Sequence, residues 1–281
     1  MTAFAHDSRR LAEIYDRVSD FQLEGGKRLV ERLGLEEGAR VLDVGCGTGR
    51  LARWIVERLS PKGSVVGIDP LEHRISVARS HAGAVRFEVG QAEDLGAFED
   101  SSFDAVCLSS VLHWVADKAS ALAEIRRVLR PGGRVAVTTL PQELSRAGTV
   151  ALVLQRVLQR PPYADRVDHS VGRRACTSTE LVSLVLESRL ELLELHVTQT
   201  VSRHDSGEAF VELAEASSFG SLLAMVPEEL RGSLRADLVA AFERQRGPEG
   251  VVVRGWWLVL VAQRTQVEDM HPSVRQPPEA K

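Results

Sequence analysis

A short stretch at residues 41–49, with the sequence VLDVGCGTG, constrains the fold more than any other part of this chain. An apolar run from residue 40 to residue 44 leads into three glycines at alternate positions, and a helical pattern follows at residues 48–59. Glycine adopts positive φ angles freely and lets a ligand approach the main chain closely. The first turn of a helix offers N–H groups that have no partner within the helix. The stretch therefore predicts a strand, a tight turn and a helix, with a small molecule bound across the end of the strand.

Strand-like and helical segments alternate from residue 40 to about residue 140. The strand-like runs are apolar throughout, which is typical of a parallel sheet that is covered on both faces. We predict strands at residues 40–44, 64–68, 84–89, 103–109 and 134–139. With right-handed crossovers this order predicts an α/β fold with a doubly wound sheet. Ligands of such sheets bind at the carboxyl ends of the strands.

Further segments flank this core on both sides. Helical patterns at residues 7–20 and 23–33 precede it, and they are expected to pack on the core or to close over the ligand. Two more strand-like runs, 190–201 and 251–262, enclose a helical insert at residues 207–246, which predicts a cap. We divide the chain into N-terminal helices (1–38), a core (39–140), helices with a cap loop (141–189), the last two strands with the insert (190–264) and a disordered tail (265–281).

Composition argues against several classes of protein. The 281 residues carry 35 Lys and Arg against 39 Asp and Glu, so the net charge of -4 lacks the positive excess of nucleic-acid-binding proteins. Three cysteines without a CxxC pair are typical of reduced thiols in a cytoplasmic protein. No apolar run is long enough to cross a bilayer. We therefore expect a cytoplasmic monomer or homodimer that binds a small molecule and uses no metal, nucleic acid or membrane.

The glycine spacing leaves two classes of nucleotide cofactor open. A dinucleotide-binding turn has the spacing G-x-G-x-x-G, whereas Arg50 follows Gly49 here and the spacing is G-x-G-x-G. Asp69 ends the second predicted strand, where a carboxylate accepts hydrogen bonds from ribose hydroxyls. Its alternative role, which is compatible with the first, is to cap the helix that follows from Pro70. The loop at residues 90–95 follows the third strand and is placed to contact a nucleobase edge.

Five motifs in this order, VLDVGCGTG, ID, GQAEDL, SFDAV and RPGG, resemble the class I S-adenosylmethionine-dependent methyltransferases, in the methyltransferase type 11 group. The resemblance covers residues 40–139 densely. It implies S-adenosyl-L-methionine as the cofactor and S-adenosyl-L-homocysteine as its product. It also implies a Rossmann-like sheet of seven strands, mostly parallel with the last strand antiparallel, beneath a helical cap.

The resemblance assigns residues to the methionine part of the cofactor. Asp43, Gly45 and Gly47 should surround it, and Cys46 between the glycines is expected to be a small buried residue. Ser109 should meet the cofactor amine through its backbone.

The same resemblance assigns the adenosine part. Asp69 should hold the ribose hydroxyls, and Pro70 should pack on the adenine. Ala92 and Glu93 should approach the adenine edge. Gln91 stands where the family usually has an acidic residue, and its side-chain carbonyl is expected to accept from the adenine amino group.

An N-terminal segment with Tyr15 and Gln22, followed by His113 and Trp114 after the fourth strand, is similar to a narrower group. That group includes trans-aconitate methyltransferase and juvenile hormone acid methyltransferase, which esterify carboxylates. The resemblance implies that Gln22, His113 and Trp114 bind the acceptor carboxylate. Tyr15 would lie near the sulfonium, because an aromatic face attracts a cation. A core histidine at position 113 and ordinary helix positions for the other two remain open.

Tyr163 and His169 lie in a predicted cap loop and are further candidates for contact with the acceptor, with a solvated loop as the alternative. The favoured function is methyl transfer to a small, partly apolar molecule, either as carboxylate O-methylation or as a tailoring step of secondary metabolism. Hydroxyl, amine and carbon acceptors stay open, and so does a catalytically silent protein that binds S-adenosylmethionine.

Overall fold

A computed structural model describes residues 4–168, 171 and 173–266. In these residues seven strands form one sheet of order β3-β2-β1-β4-β5-β7-β6. They are β1 (Arg40–Val44), β2 (Ser64–Asp69), β3 (Arg86–Val89), β4 (Phe103–Ser109), β5 (Leu129–Thr139), β6 (Leu190–His204) and β7 (Val251–Arg264). Strand β7 pairs antiparallel with β5 and β6, and the strands β1 to β5 pair in parallel. The predicted Rossmann-like sheet with an antiparallel last strand is confirmed.

Helices cover both faces of this sheet. They are α1 (Arg9–Val18), α2 (Asp20–Glu31), α3 (Arg50–Val56), α4 (Glu72–Ser80), α5 (Lys118–Val128), α6 (Thr149–Leu158), α7 (Ser178–Glu187), α8 (Gly207–Ser217), α9 (Ser221–Ala224) and α10 (Glu228–Glu243). Helix α2 packs against α3, β4 and β5, and helix α1 packs against α4 and α8. The N-terminal helices therefore lie against the core and reach the insert between the last two strands. Among the described residues, no helix has the length and apolar character that crossing a bilayer requires.

The sheet separates two hydrophobic cores. Along β1, Val41 packs into one core and Leu42 into the other, because successive side chains of a strand point to opposite faces. Both side chains are fully buried. A strand that is covered on both faces needs apolar residues at every position, which is why the parallel strands are continuous apolar runs in the sequence.

The predicted insert consists of α8, α9 and α10, which pack with α6 into a layer that we call the cap. The cap has a hydrophobic core of its own, which includes Val153, Val157, Phe210, Leu238 and Phe242. Helix α8 begins at a Ser206 side chain that accepts a hydrogen bond from the backbone of Ala209, as N-cap residues do.

The boundaries of the elements differ from the predicted ones chiefly after residue 140. The helix predicted at 143–160 is a short 3-10 turn at Gln142–Leu144 followed by α6, with Gly148 at the N-cap of α6. Strand β6 is longer than predicted because it pairs with β7 as far as His204 opposite Val251. The tail that was predicted to be disordered lies outside the described residues from position 267 onward.

Candidate functional site

A cavity of about 1170 Å³ opens at the carboxyl ends of β1, β2 and β4 and extends beneath the cap. Its walls come from the glycine turn after β1, the loops after β2, β3 and β4, the helices α1 and α2, and the cap. Sites for a single drug-sized ligand usually have volumes of roughly 300–1,000 Å³. The cavity is thus large enough for a nucleotide-like cofactor and a second molecule.

The glycine turn forms one wall and depends on its glycines. Gly45, Gly47 and Gly49 all have positive φ angles, of 70°, 56° and 78°. A Cβ atom on Gly45 would lie 2.3 Å from a methyl group of Val111, so only glycine fits there. The ring of Tyr15 would lie 3.6 Å from a Cβ atom on Gly47, so α1 covers the turn closely. The turn is therefore narrow, lined by main-chain atoms and covered by an aromatic ring.

Asp69 at the end of β2 holds this turn in place. Its Oδ2 atom accepts a hydrogen bond from the Gly47 N–H at 3.0 Å, and its Oδ1 atom accepts one from the Leu71 N–H at 2.9 Å. Burial raises the pKa of Asp69, and the positive charge of Arg74 acts in the opposite direction. Helix α4 starts at Glu72 with Leu71 as its N-cap residue, so the alternative in which Asp69 caps that helix is wrong. Each carboxylate oxygen keeps a second lone pair for a ligand.

Asp43 is the second buried carboxylate of the cavity, with 2% of its surface exposed. Its Oδ1 atom accepts a hydrogen bond from the Cys107 thiol at 3.4 Å, while its buried Oδ2 atom has no hydrogen-bond partner among the described residues. Burial raises the pKa of Asp43 to about 7. Leaving a buried acceptor unpaired costs about 1–3 kcal/mol, and a ligand that donates a hydrogen bond would remove that cost.

Three further buried polar atoms of the cavity wall lack a hydrogen-bond partner within the described part of the chain. They are the hydroxyl of Thr48 just before α3, the Oε1 atom of Gln22 in α2 and the Nε atom of Arg74 in α4. Buried polar atoms in native proteins are nearly always hydrogen-bonded to protein or water. Together with Asp43 they indicate that this end of the cavity takes a polar ligand.

The residues predicted for the adenosine part also line the cavity, among them Pro70, Gln91 and Ala92. Glu93 lines it too, but its Oε1 atom accepts a hydrogen bond from the Ala116 N–H at 3.0 Å. The carboxylate of Glu93 therefore fixes the loop before α5. Its contact with an adenine edge stays a prediction, as does that of Gln91.

His113 follows β4 in a 3-10 turn at Leu112–Trp114 and lines the same cavity. The chain enters this turn through Ser110, which has a positive φ of 62° and whose N–H donates to Thr138 Oγ1 at 2.9 Å. The Nδ1 atom of His113 lies 3.3 Å from Thr139 Oγ1. Burial, followed by the charges of Arg173 and Lys118, lowers the pKa of His113 well below 6.5. Its imidazole is therefore neutral near neutral pH and is a weak base.

Aromatic rings surround His113 and the turn. The ring centroid of Trp114 lies 5.3 Å from that of His113, 4.9 Å from Phe219 and 6.4 Å from Phe4. Burial raises the pKa of Tyr15, so its hydroxyl stays protonated. The structure thus brings Tyr15, His113 and Trp114 into one cavity with the glycine turn, while their catalytic roles stay predictions.

Four predicted residues remain, and only two of them line the cavity. Cys46 and Ser109 line the cavity, and the Cys46 thiol has a pKa well above its usual value because it is buried. Tyr163 does not line the cavity, and the prediction that it contacts the acceptor is corrected. Its ring is 1% exposed within the cap core, and its hydroxyl donates to Asp237 at 2.7 Å. His169 lies outside the described residues.

Sequence reasoning missed Arg74, which lies in α4 with 1% of its surface exposed. Its guanidinium pairs with Asp7 at 3.3 Å and donates to the carbonyl of Ala216 at 2.6 Å. It also lies between two rings, 4.6 Å from the centroid of Tyr15 and 4.5 Å from that of Phe219. Nothing in the local sequence distinguishes this arginine from a solvated one, because its partners come from distant segments.

Comparisons with known proteins match this chain to methyltransferases. Residues 42–137 match the family described as a methyltransferase domain. The chain is 34% identical over 141 residues to the chloroplastic 2-phytyl-1,4-beta-naphthoquinone methyltransferase of Arabidopsis thaliana, covering 46% of this chain and 54% of that protein. It is 35% identical over 134 residues to a malonyl-[acyl-carrier protein] O-methyltransferase of Erwinia pyrifoliae, covering 47% and 49%. The chain spans about half the length of these curated relatives.

A similar fold occurs in solved structures over most of the chain. One is geranyl diphosphate methyltransferase in complex with S-adenosylmethionine, with a TM-score of 0.55 and 16% sequence identity. The match covers 93% of this chain and 92% of that chain. At this level of identity the likeness shows a shared fold.

Asp43→Asn should change how the stability of the unliganded protein depends on pH. The pKa of Asp43 is about 7 in the folded protein and 3.8 when free. Its contribution to the free energy of unfolding is therefore fully present below pH 3.8 and is lost as the pH rises through about 7. This change in the pKa of Asp43 corresponds to a loss of at most about 4 kcal/mol in the free energy of unfolding. Because an amide carries no charge, the variant should avoid this loss and be the more stable protein above neutral pH.

Urea unfolding at acidic and alkaline pH measures this effect, with Asp165→Asn as the control at an exposed carboxylate. The advantage of Asp43→Asn over the wild type should grow between about pH 4 and pH 7. An advantage that is the same at all pH values would contradict the assignment.

Proposed function

We propose that this chain, whose residues 42–137 match the methyltransferase domain family, transfers a methyl group from S-adenosyl-L-methionine to a small, partly apolar molecule. The observation that carries the proposal is the continuity of one cavity from the glycine turn to the cap. The donor S-adenosyl-L-methionine would lie at the glycine turn and leave as S-adenosyl-L-homocysteine. The acceptor would lie beneath the cap.

The polar atoms at the glycine turn fit the parts of this cofactor. The unpaired Oδ2 atom of Asp43 is suited to the cofactor ammonium group, which donates hydrogen bonds and carries a positive charge. The free lone pairs of Asp69 are suited to the ribose hydroxyls. Tyr15 over the turn presents an aromatic face of the kind that attracts a sulfonium cation.

The apolar part of the cavity fits an acceptor with a hydrocarbon or ring portion. Four cap side chains line it, namely Phe210, Leu213, Leu222 and Met225. Methyl transfer needs the acceptor atom in line with the sulfonium methyl at close distance, and such positioning can lower a barrier by roughly 7–11 kcal/mol. A shaped pocket can therefore supply much of the catalysis.

We favour a carboxylate as the reacting group, because the cavity carboxylates Asp43 and Asp69 lie at the cofactor end and the described groups nearer the acceptor include no strong base. His113 has a lowered pKa, Tyr15 stays protonated, and Glu93 is held by backbone N–H groups. Hydroxyl and amine acceptors must lose a proton, whereas a carboxylate is already ionised at neutral pH. Gln22, His113 and Trp114 would orient it toward the methyl group.

Carbon methylation of a quinol-like ring is the second candidate. Relatives named as quinone methyltransferases favour it, and so does the apolar lining of the cap. A hydroxyl of such a ring must be deprotonated before a ring carbon attacks the methyl group. Because no strong base lies near the acceptor, this reaction would use a quinol-like acceptor that ionises near neutral pH by itself.

A transfer assay distinguishes these candidates. The protein would be incubated with methyl-labelled S-adenosylmethionine and a panel of apolar carboxylic acids, phenols and naphthoquinols, after calorimetry with S-adenosylhomocysteine. A labelled product that is cleaved by alkali is the expected ester, and an alkali-stable product would favour the carbon or hydroxyl acceptor. Cofactor binding without transfer to any acceptor would favour the catalytically silent alternative.

Asp69→Ala should weaken the binding of S-adenosylhomocysteine by about 1.5–3 kcal/mol, since it removes charge-assisted hydrogen bonds to the ribose. It also removes the acceptor for the Gly47 N–H, so Asp69→Asn, which keeps an acceptor, should lose less. Calorimetry on folded protein measures both, with Asp94→Ala as the control on a neighbouring loop. Unchanged affinity in Asp69→Ala would exclude the ribose contact.

His113→Ala should reduce turnover strongly and leave the affinity for S-adenosylhomocysteine nearly unchanged, because His113 lies on the acceptor side. The lowered pKa of His113 also predicts that the wild-type rate shows no titration of this imidazole at neutral and alkaline pH. Steady-state kinetics across that range measures both effects. Loss of the folded state in His113→Ala would instead indicate a core histidine.

A further inference from the structure

The charges of the cavity are distributed unevenly. Its carboxylates are Asp43 near the end of β1, Asp69 at the end of β2 and Glu93 in the loop after β3, all at the cofactor end. Four other arginines line the cavity from later segments, namely Arg146 after β5, Arg173 and Arg174 before α7, and Arg254 in β7. No salt bridge involves any of these four arginines within the described part of the chain. The side of the cavity that would hold the acceptor is therefore positively charged.

Backbone contacts show which parts of the cavity wall carry two of these arginines. The backbone N–H of Arg174 donates to the carbonyl of His113 at 2.6 Å. The loop before α7 is thus fastened to the 3-10 turn that carries His113. The backbone of Arg254 in β7 lies beside the start of α6, where its N–H donates to Thr149 Oγ1 at 3.0 Å. The segment with Arg173 and Arg174 therefore belongs to the same wall as His113, and Arg254 belongs to the wall beside α6.

Arg173 is the arginine that is best placed to contact a ligand. Its guanidinium carbon lies 5.5 Å from the ring centroid of Trp114. Its positive charge is the second cause of the lowered pKa of His113. The side chain is accessible to solvent, yet the walls around it lower the pKa of the guanidinium by desolvation. A ligand can therefore reach this charge, and pairing there is stronger than at an open surface.

Other arginines of the cavity have clear structural partners. Arg74 pairs with Asp7, and Arg50 pairs with Asp20. These pairs fasten the N-terminal helices to the core. Arg173 makes no such pair with any residue that the structure describes, so its charge is available to a ligand.

We propose that Arg173 forms an anion-binding subsite for the acceptor, in line with the proposed methyl transfer on which this inference rests. The acceptor would be an amphiphile that carries a carboxylate or a phosphate group on an apolar body. The guanidinium binds either anion through paired N–H donors. The apolar body lies against the cap side chains that line the cavity. Arg173 would thus determine specificity for charged acceptors over neutral ones of the same shape.

Calorimetry on the full chain saturated with S-adenosylhomocysteine tests this subsite with three probes of equal chain length: decanoate, decyl phosphate and decan-1-ol. At least one anion should bind roughly tenfold or more tightly than the alcohol, as expected for a charge-assisted pair. Arg173→Gln should remove this preference and leave the affinity for the alcohol unchanged. Arg173→Lys should keep part of it. Arg156→Gln, at an exposed arginine of α6 that does not line the cavity, should behave as the wild type.

The outcomes are distinct. A preference for decanoate only or for decyl phosphate only supports the subsite and identifies its anion. Equal binding of the alcohol and the anions, no binding of any probe, or an undiminished preference in Arg173→Gln overturns it. Loss of S-adenosylhomocysteine binding in Arg173→Gln would assign the arginine to the cofactor and also overturn it. Failure of the proposed function appears separately, as wild-type protein that does not bind S-adenosylhomocysteine or transfer its methyl group.

Discussion

The hydrogen bond from the Gly47 N–H to the Asp69 carboxylate is the contact on which the whole site depends. It joins the turn after β1 to the end of β2, and the Cys46 N–H donates to the carbonyl of Ile68 at 2.9 Å beside it. A turn with three positive φ angles has little conformational preference of its own, since glycine loses much freedom on folding. The neighbouring strand therefore supplies the constraint that keeps the turn open to a ligand.

The N-terminal helices are held over this turn by a buried charge. The pair of Arg74 with Asp7 is 2% exposed on both side chains, and a pair buried so deeply adds little net stability. Removing one partner alone typically costs about 3–5 kcal/mol, because the other charge is left buried. The pair instead determines position: Arg74 lies between the rings of Tyr15 and Phe219 and thereby fixes α1 against the cap.

Local patterns predicted the parts of the fold that local forces determine. The strands of the parallel sheet and the glycine turn were predictable because burial on both faces and positive φ angles each require particular residue types. The prediction for Tyr163 failed, and Arg74 and Arg173 were not predicted at all. In each case the residues around the side chain come from distant parts of the chain. A tyrosine in a loop of polar sequence gave no sign that its ring belongs to the cap core, where Asp237 binds its hydroxyl. Arg74 is buried and paired with the distant Asp7, whereas Arg173 is exposed and pairs with no carboxylate of the described residues.

The division of charge in the cavity suits the proposed chemistry. A sulfonium cation and a carboxylate anion would become a thioether and an ester, so opposite charges disappear as the methyl group moves. A reaction of this kind is favoured where water is excluded, provided that the protein compensates the desolvation of each reactant beforehand. Asp43 and Tyr15 would do so for the cofactor, and Arg173 for the acceptor. Because His113 is neutral, it would orient the acceptor without a fixed charge that stabilises the ionised reactants more than the transition state.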